Sequence, residues 1–244
     1  MAPIRHRAWL LSQALLWLPW LGLAGAQGAL APPAWRIATL TLAAASYAIL
    51  VANIGAWHTI ADRVTIARFT LLLVGASLAS ASGSFDHTVW IVFGVALAGD
   101  CVDGFCARRY GGSEAGAILD METDQFAFLL VGLTAVAIAG LPRILLVLPA
   151  LRLLKLAAYA LARVDAHQPR PRSGDNSAAR TLCAVATALL WLALLPGAPG
   201  YWPWASGGTA AALLVFSFRV DFLDLFATLT ARRSSRPPRP TPPS

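Results

Sequence analysis

Charge is scarce in this chain. Aspartate, glutamate, lysine and arginine make up 13% of the 244 residues, against about 25% in an ordinary soluble domain. No polar stretch is long enough to build a large soluble domain, which excludes one. Strand-length alternation of apolar and polar residues is missing too, so a transmembrane barrel has no support. Cysteine is limited to Cys101, Cys106 and Cys183. The number is odd and no Cys-x-x-Cys pair occurs, so neither a disulfide framework nor a zinc site is indicated. His6, His58, His87 and His167 are scattered, with none at metal-ligand spacing from another. No internal repeat is visible, so the inverted-repeat signature of secondary transporters is absent.

What remains is apolar. Hydrophobic residues make up 57% of the chain, and mean hydropathy is +0.63. Most of the length falls into runs of about 20 residues, enough to cross a bilayer as a helix. The runs predict spans at about 9–26, 35–57, 65–81, 88–107, 120–141, 144–161, 181–195 and 208–230. Pro32-Pro33, Ser82-Gly83-Ser84, Gly111-Gly112, Gly140-Leu141-Pro142 and the segment 196–203 punctuate them. The fold class expected is therefore an all-α polytopic membrane protein. Residues 1–62 form an N-terminal extension with two spans, 63–230 a six-helix domain, and 231–244 a basic, Pro-rich, disordered tail. The first span has a rival reading as a signal peptide, from Arg5-His6-Arg7 ahead of it and Ala24-Gly25-Ala26 at its end. Its length and tryptophan content favour retention.

The net charge of +7 would raise nucleic acid as a partner in a soluble protein. Here the arginines cluster at span ends, so membrane orientation accounts for them and no nucleic acid is expected. With Arg5 and Arg7 in the cytoplasm, Arg63, Arg108, Arg109, Arg163, Arg170, Arg172, Arg180, Arg232, Arg233, Arg236 and Arg239 also fall on that side, leaving Arg36 and Arg143 outside. This predicts both termini inside, in a membrane of bacterial cytoplasmic type.

Against that background the stretch 99–124 stands out, because it places Asp100, Asp103, Asp120 and Asp124 where two spans meet. An ionisable residue inside a membrane segment is expensive, and points to function. Asp100, Asp103 and Ala107 share one helix face, with Gly104 one turn beyond Asp100. Gly116, Asp120 and Asp124 form a stripe on the next helix. A short loop makes the two helices antiparallel neighbours, so the carboxylates converge. Oxygen-only ligands select hard cations, magnesium, manganese or calcium. Paired metals among carboxylates recur in displacement at phosphorus. Gly104, Ala107 and Gly116 leave room for a ligand, and Arg108 offers a charge for phosphate. Helix capping would explain Asp120 alone. A transporter using intramembrane aspartates, or an inactive scaffold, is the rival class.

The run Asp100-x-x-Asp103-Gly104-x-x-Ala107-Arg108, followed by Gly116-x-x-x-Asp120-x-x-x-Asp124, resembles the signature of the CDP-alcohol phosphatidyltransferases. The interval between Arg108 and Gly116 is one residue shorter than is usual there. Upstream, Thr65-x-x-Arg68 is similar to the motif that often opens the family's first core helix. The resemblance implies a six-helix catalytic core over 63–230, with two additional N-terminal transmembrane helices. It implies transfer of a phosphatidyl-type group from a CDP-linked lipid, with CDP-diacylglycerol the usual donor, to a small alcohol acceptor, with release of CMP. It further implies two Mg2+ or Mn2+ ions on Asp100, Asp103 and Asp120, with Asp124 as base and further ligand. Asp103, Gly104, Ala107, Arg108 and Gly116 would bind CDP, and a homodimer is compatible with it. For the acceptor, Arg68, Arg152, Lys155, Arg180 and Arg219 are the cations to consider, and a phosphorylated polyol such as glycerol 3-phosphate would suit them. Snorkelling to the interface is the alternative for Arg152, Lys155 and Arg219. Glu122, on the opposite side of its helix from Asp120 and Asp124, is expected off the metal face, paired with an interfacial arginine.

Overall fold

A computed structural model of the chain describes residues 3–27, 32–55, 58–162 and 176–234. Among these, helices α1 (Pro3–Gln27), α2 (Pro33–Ile54), α3 (Ile60–Ser82), α4 (His87–Tyr110), α5 (Glu114–Ala137), α6 (Val147–Leu161), α7 (Asn176–Ala193) and α8 (Trp202–Ser234) follow in order. A 3-10 turn, Arg143–Leu146, leads into α6. The described residues contain no strand. α1 to α4 and the segment 143–161 are long and apolar enough to cross a membrane. α5, which carries Glu114, Asp120, Glu122 and Asp124 in its first three turns, is not among these spans. The chain is a polytopic helical membrane protein.

Local chemistry sets the helix starts. Thr59 and Asp62 form a reciprocal capping box at the start of α3: the Asp62 N–H donates to Thr59 Oγ1 at 3.0 Å, and the Thr59 N–H to Asp62 Oδ2 at 3.1 Å. Asp86 caps α4 by accepting from the Val89 N–H, and Ser113 caps α5 by accepting from the Gly116 N–H. α3 and α5 therefore begin at 60 and 114 rather than at the expected 65 and 120, and α8 begins at 202 rather than 208. Hydropathy registers only the apolar part of a helix, whereas a polar cap starts it earlier. α8 likewise runs to Ser234, four residues into the expected tail. Residues 235–244, and the loop 163–175, lie outside the described residues.

α5 is the central helix. Every residue from Gln125 to Ala137 is buried, surrounded by α1, α2, α3 and α6. Lipid tails are as apolar as the helix faces, so close packing rather than water exclusion holds such a bundle together. Gly132 of α5 faces the Leu145 carbonyl and the Pro149 ring. Trp17 of α1 meets Phe126 edge-on at 6.3 Å, and Trp20 donates to Thr39 Oγ1 of α2 at 2.8 Å. On the other flank, Tyr47 of α2 stacks on Phe69 of α3 and hydrogen-bonds Thr123 of α5 at 2.8 Å. This cluster pins α3 to α5 beside the aspartate stripe.

The aspartates lie deeper than the end of a helix. Asp100 stands ten residues before the last residue of α4, and Asp124 ten residues after the first of α5. At 1.5 Å per residue each is about 15 Å from its helix end.

Candidate active site

Three helices supply the charged centre, and α3 contributes its middle. Arg68 is almost fully buried and projects between α4 and α5. Its Nη1 lies 3.3 Å from Asp100 Oδ1 and 3.0 Å from Asp120 Oδ1, and it pairs closely with Asp103 Oδ2. Nη2 reaches Asp124 Oδ1 at 3.2 Å, and Nε donates to the Ala96 carbonyl at 3.3 Å. Thr65, one turn earlier, donates to Asp103 Oδ2 at 3.2 Å. Gly99 makes room for this arginine, since a Cβ there would stand 2.6 Å from Arg68 Cγ.

The carboxylates differ in access. Asp103 is 5% exposed at its side chain, Asp124 30%, Asp120 44% and Asp100 53%. Asp103 is thus the floor, and Asp100 and Asp120 face an incoming ligand. One oxygen from each of Asp100, Asp103 and Asp120 falls within 4.8 Å of the others. Three converging hard oxygen donors fit a divalent cation. An ion taking them would compete with Arg68 Nη1, which neutralises the same oxygens. Asp124 stands beside this triad and is held from behind: Arg152 Nη2 of α6 lies 3.4 Å from Asp124 Oδ2 and donates to the Met121 carbonyl at 3.1 Å. The Arg152 guanidinium also lies over the Phe128 ring at 5.5 Å. It points into the bundle rather than snorkelling.

A cleft of about 880 Å³ opens on these groups. Asp100, Asp103, Asp120, Asp124, Gly104 and Arg108 line its polar end. Arg108 is exposed, and its guanidinium lies over Gly104, where a Cβ would be 3.4 Å from Nη1. Mainly apolar side chains of α4, α5 and α7, with Thr187 among them, line the rest.

The other expected site residues fall around this centre. Ala107 and Gly116 sit near the α4–α5 turn and do not line the cleft. A Cβ on Gly116 would meet the Asp62 carboxylate and stand 3.0 Å from Ser113 Oγ, so this glycine lets α5 start against the α3 cap. Lys155 is half-buried on α6, one turn beyond Arg152, and Arg219 is exposed on α8. Arg180 belongs to the second turn of α7, but its side chain lies outside the described residues. Glu122 does face away from the triad, yet it makes no ion pair among the described residues. It is 1% exposed, with Oε1 lacking a hydrogen-bond partner. It sits on the inner side of α5, where the bundle and not the interface surrounds it. Asp120 is not a helix cap, because Ser113 holds that position.

A family model, CDP-alcohol phosphatidyltransferase, matches residues 58–218. The chain belongs to the CDP-alcohol phosphatidyltransferase family. The match begins just before the α3 capping box and covers every charged group at the cleft, leaving α1 and α2 outside it. Membership implies transfer of a phosphatidyl-type group from a CDP-alcohol to an alcohol, on a membrane-embedded scaffold. No curated protein and no solved structure matches this phosphatidyltransferase-family chain significantly.

Proposed function

We propose that the chain moves a phosphatidyl group from CDP-diacylglycerol to a small alcohol and releases CMP, at the cytoplasmic side of the bilayer. The observation that carries this reading is the cleft itself. Four aspartates and three arginines, Arg68, Arg108 and Arg152, gather at its polar end or directly behind it, and its remaining walls are apolar. A nucleotide-linked lipid has that same division.

The acceptor hydroxyl oxygen attacks the β-phosphorus. A new O–P bond forms as the bond to the CMP phosphate oxygen breaks, and the hydroxyl proton passes to Asp124. Arg152 orients Asp124 for that task from the side away from the triad. Gly104 allows close approach of the donor's phosphates, and exposed Arg108 attracts their charge. Two divalent ions, Mg2+ or Mn2+, held by Asp100, Asp103 and Asp120 with Asp124 as a further ligand, would screen the pyrophosphate charge. Arg152 and Lys155, one turn apart on α6, favour an acceptor that carries its own phosphate, such as glycerol 3-phosphate.

The test is CMP release from CDP-diacylglycerol across a panel of acceptors, with and without chelator. We expect release to need an acceptor, to stop in EDTA and to return with magnesium or manganese. Full activity in chelator would remove the metals from the mechanism, and no release with any acceptor would remove the donor.

A further inference from the structure

The apolar part of the cleft has one built wall. α4 and α7 meet through Trp90 and Trp191, whose rings stack with centroids 4.0 Å apart and 14° between planes. Each indole N–H donates to the other residue's backbone carbonyl at 3.0 Å. Four hydrogen-bonding groups of two helices are thereby satisfied in one reciprocal clasp, an arrangement that fixes both rings. The Trp191 ring also lies directly on Gly94, where a Cβ would stand 2.8 Å from three of its atoms. Trp191 lines the cleft against Gly94, six residues or about 9 Å of helix from Asp100.

From this clasp the lining continues along α4 to Asp100. Asp100 and Ile91 both line it, nine residues apart on one helix. That is roughly 14 Å of rise, close to half of a hydrocarbon core about 30 Å thick. Gly94 and Ala98 of α4 and Ala184 and Ala188 of α7 keep the walls small. Ile91 and Val95 line the cleft yet are 54% and 55% exposed, so it is open along its side. A hydrocarbon chain could enter there without its head leaving the aspartates.

We propose that the Trp90–Trp191 clasp determines how long a hydrocarbon chain the donor can seat. One chain of the CDP-linked lipid lies between α4 and α7, and its terminal methyl meets the Trp191 ring. This rests on the donor reading given above.

The experiment uses the full-length protein and a series of CDP-linked lipids of increasing chain length. CMP release gives kcat/KM for every donor. In the native protein kcat/KM changes little from one chain length to the next, because a chain leaving lipid or detergent exchanges one apolar surrounding for another, and then breaks downward where the chain reaches Trp191. Trp191→Ala moves the break to longer chains. Ala188→Phe fills the cleft one turn nearer the aspartates and moves the break to shorter chains, which tests the idea even where Trp191→Ala fails to fold. The same break in the native protein and both variants, or no break at all, overturns the clasp as ruler while leaving the donor assignment intact. No CMP release from any donor overturns both.

Discussion

Arg68 gives the sharpest test of the site. Its side chain is 4% exposed, and its guanidinium touches all four aspartates. Arg68→Gln removes the charge and most of the donors while keeping part of the stem. Asp103, itself buried, is then left against Asp100 and Asp120 with no compensating cation. Breaking a buried ion pair from one side costs about 3–5 kcal/mol. At roughly 2–4 °C per kcal/mol for a chain of this size, the melting temperature in chelator should fall by about 6–20 °C. The variant should also respond more strongly to metal. In the native protein an ion must displace Arg68 Nη1 from the triad oxygens, and in Arg68→Gln it need not. An ion at a hundred times its dissociation constant stabilises by about 2.7 kcal/mol, so saturating Mn2+ should recover much of the loss. The assay is thermal unfolding in detergent with EDTA or Mn2+, paired with Mn2+ binding followed by electron paramagnetic resonance. Two results would refute the reasoning: native-like melting of the variant in EDTA, or Mn2+ binding no tighter than in the native protein. Arg68→Lys, which keeps the charge but loses the planar fork, should fall between the two.

Other consequences are as direct. Asp124→Asn should keep most nucleotide and metal binding by calorimetry but lose turnover by about a hundred- to ten-thousand-fold, the usual contribution of a general base. Asp100→Asn and Asp120→Asn should instead weaken both binding steps, and near-normal turnover in Asp124→Asn would show that the base lies elsewhere. Gly99→Ala should cost about 1–3 kcal/mol of stability, because the added methyl overlaps the Arg68 stem; unchanged melting would mean that the arginine can shift freely. In a cysteine-free background, a cysteine at Gly112 in the α4–α5 turn should react with an impermeant reagent only from the cytoplasmic side. Labelling of intact cells from outside would invert the topology.

Much of the fold was legible because membrane helices announce themselves twice. Apolar runs gave eight helices, and Pro32, Gly83, Gly111 and Gly140 marked breaks between them. Three of those glycines adopt positive φ, between 63° and 88°, a conformation that other residues resist. Boundaries were less legible. Thr59 and Ser113 start their helices from polar positions that an apolar window reads as loop. The role of α5 as central helix was not readable at all. Its first half is the most acidic in the bundle, and only packing against several neighbours reveals that its second half never meets lipid.

The candidate site divides along the same line. Asp100, Asp103, Asp120 and Asp124 could be found from the sequence because helical periodicity is local: two stripes and a short loop compel convergence. Arg68 could be named, since Thr65 and Arg68 share a face of α3, but its destination could not. That α3 packs against both α4 and α5, more closely than these two pack against each other, is a long-range fact, and it places this arginine among the aspartates at the centre. Trp191 is the extreme case. It lies 67 residues beyond Asp124 in a run of alanine and leucine, where a tryptophan reads as ordinary filling. Only the return of α7 alongside α4 brings it onto Gly94. The lesson is physical: the atoms that do chemistry were grouped by local repeat, whereas those that bound the substrate space were grouped by packing. Substitutions at the first kind should change rate or ion binding for every substrate, and substitutions at the second should change which substrate is preferred.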